Sequence, residues 1–240
     1  MRIGLFDFRP ALWPTLATLL LLPLLIGLGL WQLERAAWKQ DLIAAHAERS
    51  RRPPLALAAL LASGEELPYH RATARGRYDL EHQLLLDNRA EQGRAGYHVL
   101  TPLRLAGGGT VLVNRGWVPV GNDRAQLPAL PGPEGTITVN AMVTLPPEKV
   151  FRLGAEEEVH PGWPQVVQQI ELPALEQRLD TTLQPVILLL DPDVDGGFVR
   201  SWRPVYGISP DRHRAYALQW FTLALVLLLI YIGVNTRRLP

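Results

Sequence analysis

Two long uncharged apolar runs, one near each end of the chain, constrain its fold more than any other feature. The first is ALWPTLATLLLLPLLIGLGLWQL at residues 11–33, and the second is YALQWFTLALVLLLIYIGV at residues 216–234. A helix needs about 20 apolar residues to cross a bilayer core of about 30 Å, so both runs are long enough. Trp13 and Trp31 bracket the first run, as expected for aromatic residues at two membrane surfaces. The sequence therefore predicts two transmembrane helices.

Each run has an alternative interpretation. The first run could be a cleaved signal peptide, but it is longer than the usual apolar core of about 7–15 residues, and no small-residue cleavage site follows it. The second run could be a buried helix, but a soluble domain of this size rarely buries so long an apolar helix. We therefore expect both runs to remain in the protein and to insert into a lipid bilayer.

The charges outside the two runs predict the orientation in the membrane. Arg2 and Arg9 precede the first run, and Arg237 and Arg238 follow the second. Because basic residues next to membrane spans favour the cytoplasm, both termini are predicted to be cytoplasmic, in a bacterial inner (plasma) membrane. The predicted organisation is a tail at 1–10, a transmembrane helix at 11–33, a periplasmic domain at 34–215, a second transmembrane helix at 216–234 and a tail at 235–240.

The segment between the runs predicts one mainly antiparallel β domain. It opens with a helical continuation of the first run, which Pro53 and Pro54 end. Two short helices are expected at 55–61 and 172–179. The β-like runs, separated by turn residues, lie at 69–78, 82–87, 97–105, 110–118, 136–144, 165–170 and 185–190. The expected fold class is an α+β membrane protein, with two transmembrane helices flanking a mainly antiparallel β extramembrane domain.

The composition excludes several classes of function. The 240 residues include no cysteine, which excludes disulfides, Cys-ligated zinc, iron–sulfur clusters and thiol catalysis. No serine lies in a Gly-x-Ser-x-Gly elbow, so serine catalysis is unsupported. The segment between the runs has a slight acidic excess, which argues against a nucleic-acid partner. We expect a protein that is not an enzyme and that does not bind nucleic acid.

An acidic motif, DPDVDG, begins at Asp191 and has two interpretations. The aspartates and Gly196 match the first six positions of a calcium loop, but position 12, which needs a bidentate Glu, is Trp202. The sequence therefore favours an Asp-rich turn after a strand.

His213 stands out among the six histidines because it lies three residues before the second apolar run. On a helix it would share one face with Tyr216, Ala217, Trp220 and Ala224. Imidazole is a common axial ligand of haem iron, and aromatic rings can stack on a planar macrocycle. The other histidines are expected to be ordinary polar residues: His46, His70, His82, His98 and His160.

A similar line on the first run joins Gly27, Trp31, Arg35 and Trp38, which we expect to face His213. Cations near the same ends of the two runs would suit haem propionates; they are Arg35, Lys39, Arg212 and Arg214. The alternative is that these residues are interface anchors of two packed helices. In both cases His213 is expected to be exposed at the membrane surface. The residues alone leave both possibilities open.

Four segments, taken in order, resemble the Surfeit locus protein family of cytochrome c oxidase assembly factors. They are LGLWQLERAAWK at 28–39, GYHVLTPL at 96–103, VLVNRGWVP at 111–119 and HRAYALQWF at 213–221. The resemblance covers essentially the whole chain and includes the two-span layout. One departure is Asp211, since the family usually has Asn shortly before the matching histidine.

This resemblance implies a non-enzymatic role in building haem–copper oxidases. The expected cargo is haem a, supplied to or stabilised for the catalytic subunit of cytochrome c oxidase, and haem A synthase is a further expected partner. His213 matches the family's candidate haem-contacting histidine, and it is the expected metal ligand. The expected cofactor-binding residues are His213, Tyr216, Trp220, Trp31, Arg35 and Arg115.

Two points stay open after the resemblance is considered. Arg115, at the end of a predicted strand, is either a propionate partner or a charge satisfied by a neighbouring loop. The protein could also be a membrane-anchored periplasmic scaffold that binds an oxidase subunit without contacting haem.

Overall fold

The computed structural model describes residues 2–3, 6–121, 124, 126–146, 162–202 and 207–238. The chain divides into two compact units, one of residues 1–45 with 204–240 and one of residues 46–203. His160 lies outside the described residues. The elements, in chain order, are β1 (Arg2–Ile3), β2 (Phe6–Phe8), α1 (Leu12–Arg51), β3 (Leu55–Ala56), α2 (Leu57–Ala62), β4 (Arg71–Tyr78), β5 (Leu84–Glu91), β6 (Arg94–Leu105), β7 (Thr110–Pro119), β8 (Thr136–Thr144), β9 (Gln165–Val167), α3 (Leu172–Leu179), β10 (Leu183–Leu190), α4 (Pro210–Asn235) and β11 (Thr236–Arg238).

The two predicted apolar helices are present as α1 and α4, and both are long and apolar enough to cross a membrane. Each is longer than its apolar run. α1 continues to Arg51, as the helical continuation of the first run predicted. α4 begins at Pro210, six residues before the run, because Ser209 caps it by accepting a hydrogen bond from the Arg212 backbone N–H at 3.3 Å. Proline at the first helical position and Asp211 in the first turn also favour a helix start there.

Small and polar residues form the contact between α1 and α4. The buried residues on α1 include Thr18, Gly29 and Ala36, and those on α4 include Ala217 and Ala224. Small side chains let two helix backbones approach closely. Most large apolar side chains of both helices point outward and are exposed, which is the pattern expected where lipid surrounds a helix pair.

A small three-stranded sheet joins the two chain ends. β2 pairs antiparallel with both β1 and β11, and Asp7 lies opposite Arg237. Next to this sheet, the Asn235 side chain is 2% exposed; it accepts from the Ala11 backbone N–H at 2.6 Å and donates to the Tyr231 carbonyl at 2.8 Å. The start of α1 and the end of α4 therefore lie side by side, as two antiparallel helices require.

The second unit contains a closed five-stranded barrel. Its strands follow the order β4-β8-β10-β7-β6, and a further pairing of β4 with β6 closes the ring. Only the β10–β7 pair within the barrel is parallel; the others are antiparallel. This is a Greek-key barrel, the architecture of OB-type domains. The mainly antiparallel prediction is confirmed, but barrel closure was not predicted.

Alternating residues of the five strands fill the barrel interior. The core comprises aliphatic residues such as Val113, Val139 and Leu188, and α2 closes one side of it with Leu57 and Leu60. Outside the barrel, β5 and β9 extend the sheet from β6. A second apolar cluster lies under α3, whose Leu175 is 2% exposed.

Most predicted elements of this unit are found close to their expected bounds. The strand at 136–144 and the helix at 172–179 match as predicted. A short hairpin loop at 106–109 joins β6 to β7. The parallel pairings β3–β4, β5–β9 and β10–β7 were not predicted, because strand direction depends on the crossovers and not on local sequence.

Candidate functional site

His213 lies in the first turn of α4 with its side chain buried against α1. It is 6% exposed, and its Nδ1 lies 2.7 Å from Oε1 of Gln32. Because an amide oxygen can only accept, this orientation of the Gln32 side chain requires the proton of His213 on Nδ1. The expectation of an exposed histidine at the helix end is wrong, because α4 begins early enough for His213 to take part in helix packing.

The predicted face of α1 is also wrong. Trp31 and Trp38 are 53% and 48% exposed, and Gly27 has open space around it. Residues 27 and 29 are separated by about 200° around a helix, so they lie on nearly opposite sides. The side of α1 that contacts α4 carries Gly29 and Gln32, and the line through Trp31 and Arg35 faces away from α4.

On α4, the predicted face is only partly correct. His213 is buried together with Ala217 and Ala224, and Trp220 is half-buried. Tyr216 is 45% exposed and lies outside this contact. The structure therefore brings His213 and Trp220 to the face that meets α1, and it leaves the rings of Tyr216 and Trp31 accessible.

Basic residues surround the same ends of the two helices. The Arg35 guanidinium lies 4.2 Å from the centre of the Trp38 ring, and Lys39 Nζ lies 5.6 Å from it. Arg214 forms an ion pair with Asp211 at 2.8 Å and donates to Gln40 of α1. Exposed ion pairs contribute little to stability, so these cations can exchange partners for a carboxylate ligand at small cost.

The hydrogen bond that His213 makes is of the kind found at metal-ligating histidines. Metal-ligating histidines usually donate one ring N–H to an oxygen acceptor and bind the metal through the other nitrogen. Here Gln32 accepts from Nδ1, which makes Nε2 the nitrogen with the lone pair. Of the other predicted cofactor-binding residues, Trp31 and Arg35 lie on the side of α1 that faces away from α4, and Tyr216 lies outside the helix contact, so the structure does not bring these three together with His213.

Arg115 lies in the other unit, and its surroundings match the loop interpretation. Its side chain is fully buried, and loop carbonyls of Gly196 and Pro131 accept from it, the former at 2.8 Å from Nε. Its Nη1 donates to Gln83 Oε1 at 3.0 Å. Burial lowers the pKa of this guanidinium, but arginine's ordinary pKa is so high that the group stays charged.

Two aromatic rings complete the surroundings of Arg115. The rings of Tyr78 and Phe198 lie 5.2 Å and 5.0 Å from its guanidinium carbon, within the range of cation–π contacts. Burial raises the pKa of Tyr78 to about 12, so this ring stays a neutral phenol. Arg115 therefore holds two loops, around residues 131 and 196, against the barrel, and in this structure it is inaccessible to a propionate.

The VLVNRGWVP motif at 111–119 requires glycine at position 116, next to Arg115. The φ of Gly116 is +118°, and a Cβ there would lie 2.7 Å from the Val199 carbonyl oxygen. Residues 198 and 199, which follow the acidic turn, lie beside β7. The Trp117 N–H donates to the Val199 carbonyl, and the Phe198 N–H donates to the Arg115 carbonyl, both at 2.7 Å. The close approach of this segment places Phe198 over Arg115.

The acidic motif at Asp191 forms a turn after β10, as the sequence favoured. The Asp191 carboxylate forms an ion pair with Arg71, and the Gly196 carbonyl accepts a hydrogen bond from Arg115. Among the described residues, no three His, Asp or Glu side chains are grouped so that they could hold a metal ion.

Gln32 and Gly29 are the site residues that sequence reasoning missed. Gln32 is one of the few polar residues inside the first apolar run, and a polar side chain within a membrane span is often functional. The sequence therefore contains a signal for Gln32. It contains none that favours Gly29 over Gly27, because both glycines lie in one apolar run and only the rotation of the helix decides which of them meets α4.

Comparisons with known proteins agree with the four family motifs in the sequence. The family model described as the SURF1 family matches residues 19–225. A SURF1-like protein of Rickettsia felis is 28% identical over 224 residues, covering 90% of this chain and 94% of the relative. Surfeit locus protein 1 of Takifugu rubripes is 32% identical over 144 residues, covering 53% and 60%. That of Mus musculus is 36% identical over 117 residues, covering 42% and 38%.

Proposed function

The chain belongs to the SURF1 family, and from this membership we propose that it is a membrane-anchored assembly factor for cytochrome c oxidase. In this proposal α1 and α4 span a bacterial inner membrane, with both termini in the cytoplasm. The unit of residues 46–203, called the sheet unit below, lies in the periplasm. The two apolar helices with adjoining ends support this arrangement. The protein acts by binding and is not an enzyme.

The proposed cargo is haem a, which is held for the catalytic subunit of the oxidase. Haem A synthase, which makes the cargo, is the proposed donor. The observation that carries this proposal is the imidazole of His213 with Nδ1 engaged by Gln32, which leaves Nε2 as the ligand nitrogen. Haem a has a long apolar tail, so a binding site at the level of the membrane avoids exposing that tail to water.

One observation favours a second function, that of a scaffold without haem. His213 is already buried and hydrogen-bonded between the two helices, which is what a purely structural role also requires. In that case the sheet unit would bind an oxidase subunit, and the helices would only anchor it.

The test is the visible spectrum of full-length protein purified from cells that make haem a. We expect wild type to carry haem, and His213→Ala to lose most of it per molecule of protein. Because His213 is buried, its removal leaves Gln32 unpaired and costs about 1–3 kcal/mol, so haem must be measured relative to protein and not to cells. His82→Ala is the matched control, since His82 lies in the sheet unit. Full haem occupancy with an unchanged spectrum in His213→Ala would favour the scaffold.

A further inference from the structure

We propose that Gln32 is a positioning residue that fixes the tautomer of His213, so that Nε2 is the nitrogen presented to haem iron. The inference rests on the proposed function, and it concerns how the ligand is prepared. Its basis is the 2.7 Å contact between Gln32 Oε1 and His213 Nδ1 across the two helices.

The chemistry of neutral imidazole explains why such a residue is needed. One ring nitrogen carries the proton and cannot bind a metal, while the other has the lone pair. A neutral histidine in water prefers to hold its proton on Nε2, which is the nitrogen at the far end of the side chain. An acceptor placed at Nδ1 reverses this preference, and Gln32 provides one.

Burial makes this hydrogen bond effective. His213 is 6% exposed, so water competes weakly for Nδ1. Gln32 is itself half-buried and lies on the side of α1 that meets α4. Small residues on both sides, Gly29 and Ala217 among them, bring the helices close enough for the two side chains to meet.

The hydrogen bond also affects the strength of the ligand. An acceptor on Nδ1–H makes the imidazole a better electron donor to a metal at Nε2, and outer acceptors of this kind typically change metal affinity by about 10–100-fold. A more electron-rich ligand stabilises ferric over ferrous iron. Loss of the acceptor should therefore weaken haem binding and raise the reduction potential of the bound iron.

The first measurement needs no haem. Full-length protein with ¹⁵N-labelled histidines is examined by NMR in detergent micelles, where imidazole nitrogen shifts distinguish the two tautomers. His213→Ala identifies the His213 signals among the six histidines. We expect Nδ1–H in wild type and a shift toward Nε2–H in Gln32→Met, which has similar length but lacks the amide oxygen. An Nε2–H signal in the wild-type protein would overturn the inference without any variant.

The second measurement uses ferric haem b as the probe, since it supplies the iron, the ring and two propionates. We expect Gln32→Met to bind it about 10–100-fold more weakly and with a higher reduction potential. Gln32→Glu keeps an acceptor oxygen and should retain the wild-type tautomer. Gln40→Met is the matched control, because Gln40 lies two turns further along α1 and accepts from Arg214 of α4.

The outcomes separate this inference from the proposed function. If His213→Ala loses haem while Gln32→Met keeps the wild-type affinity and potential, Gln32 is not a positioning residue and the proposed function stands. If His213→Ala binds haem b as wild type does, the proposed ligand is wrong and the Gln32 inference fails with it. If Gln40→Met weakens haem binding as much as Gln32→Met, the effect comes from helix packing and the inference is overturned.

Discussion

Gly29 of α1 lies directly against the ring of Phe221 of α4, and a Cβ atom added at Gly29 would stand 2.5 Å from Cε1 of that ring. No real Cβ approaches another carbon so closely, so any larger residue at position 29 must displace the ring or separate the helices. This contact lies one turn from Gln32, the residue that meets His213.

We therefore predict that Gly29→Val lowers the stability of the full-length protein in detergent by about 1–3 kcal/mol, because it overpacks the helix contact. Thermal unfolding measures the loss. Gly27→Val is the control, since a Cβ at Gly27 meets nothing within 4 Å, and we expect a change of at most about 0.5 kcal/mol. Combining Gly29→Val with Phe221→Ala should cost less than the sum of the two changes. Equal losses of stability in Gly29→Val and Gly27→Val would contradict the close packing of Gly29 against Phe221.

Arg115→Met should destabilise the sheet unit by about 3–5 kcal/mol. The substitution leaves the Gln83 amide oxygen and the loop carbonyls without their donor inside the protein. Urea unfolding and the amount of full-length protein in cells measure this effect. The control is Arg94→Met, which changes an exposed arginine of β6 and should be nearly neutral. A stable Arg115→Met protein that has lost haem would instead support the propionate interpretation.

We predict that the lowered pKa of His98 makes the protein less stable in mild acid. Burial lowers its pKa from 6.5 to about 4, so the folded protein stays unprotonated at pH values where the unfolded chain takes up a proton. Stability is therefore greatest above pH 6.5 and falls between pH 6.5 and pH 4, by up to about 3 kcal/mol from this group. Urea unfolding at several pH values measures the slope.

The control for this pH effect is His98→Asn, in which the slope between pH 6.5 and 4 should be smaller. Any remaining slope reports other groups, such as His46, whose pKa burial also lowers. An identical slope in wild type and variant would show that His98 is not the group responsible.

The membrane topology is testable with single cysteines, because the chain has none of its own. Ala106 is exposed in the β6–β7 hairpin loop, and Arg237 is exposed in β11. We expect a membrane-impermeant maleimide to label Ala106→Cys in intact spheroplasts, and to label Arg237→Cys only after permeabilisation. The opposite pattern would reverse the proposed orientation, and labelling of both sites in intact spheroplasts would contradict two spans.

The apolar helices and most strands could be predicted from sequence because their signals are local. A charge-free run of about 20 residues, alternating apolar positions and proline or glycine turns each act within a few residues of chain. The start of α4 also has a local signal, Ser209 followed by proline and Asp211, although the apolar pattern begins six residues later. Similarly, glycine at position 116 marks a close backbone approach, but nothing local shows that the approaching partner is Val199.

Two apolar helices, a mainly antiparallel domain between them and the four family motifs can be read from the sequence, and so can His213 as the leading candidate ligand. Three other features became visible in the folded chain: the side of α1 that meets α4, the pairing of Gln32 with His213, and the enclosure of Arg115 by two loops. The reason is geometric. Helix rotation and barrel closure depend on contacts between residues far apart in the chain, such as the 181 positions that separate Gln32 from His213, and no local pattern encodes them.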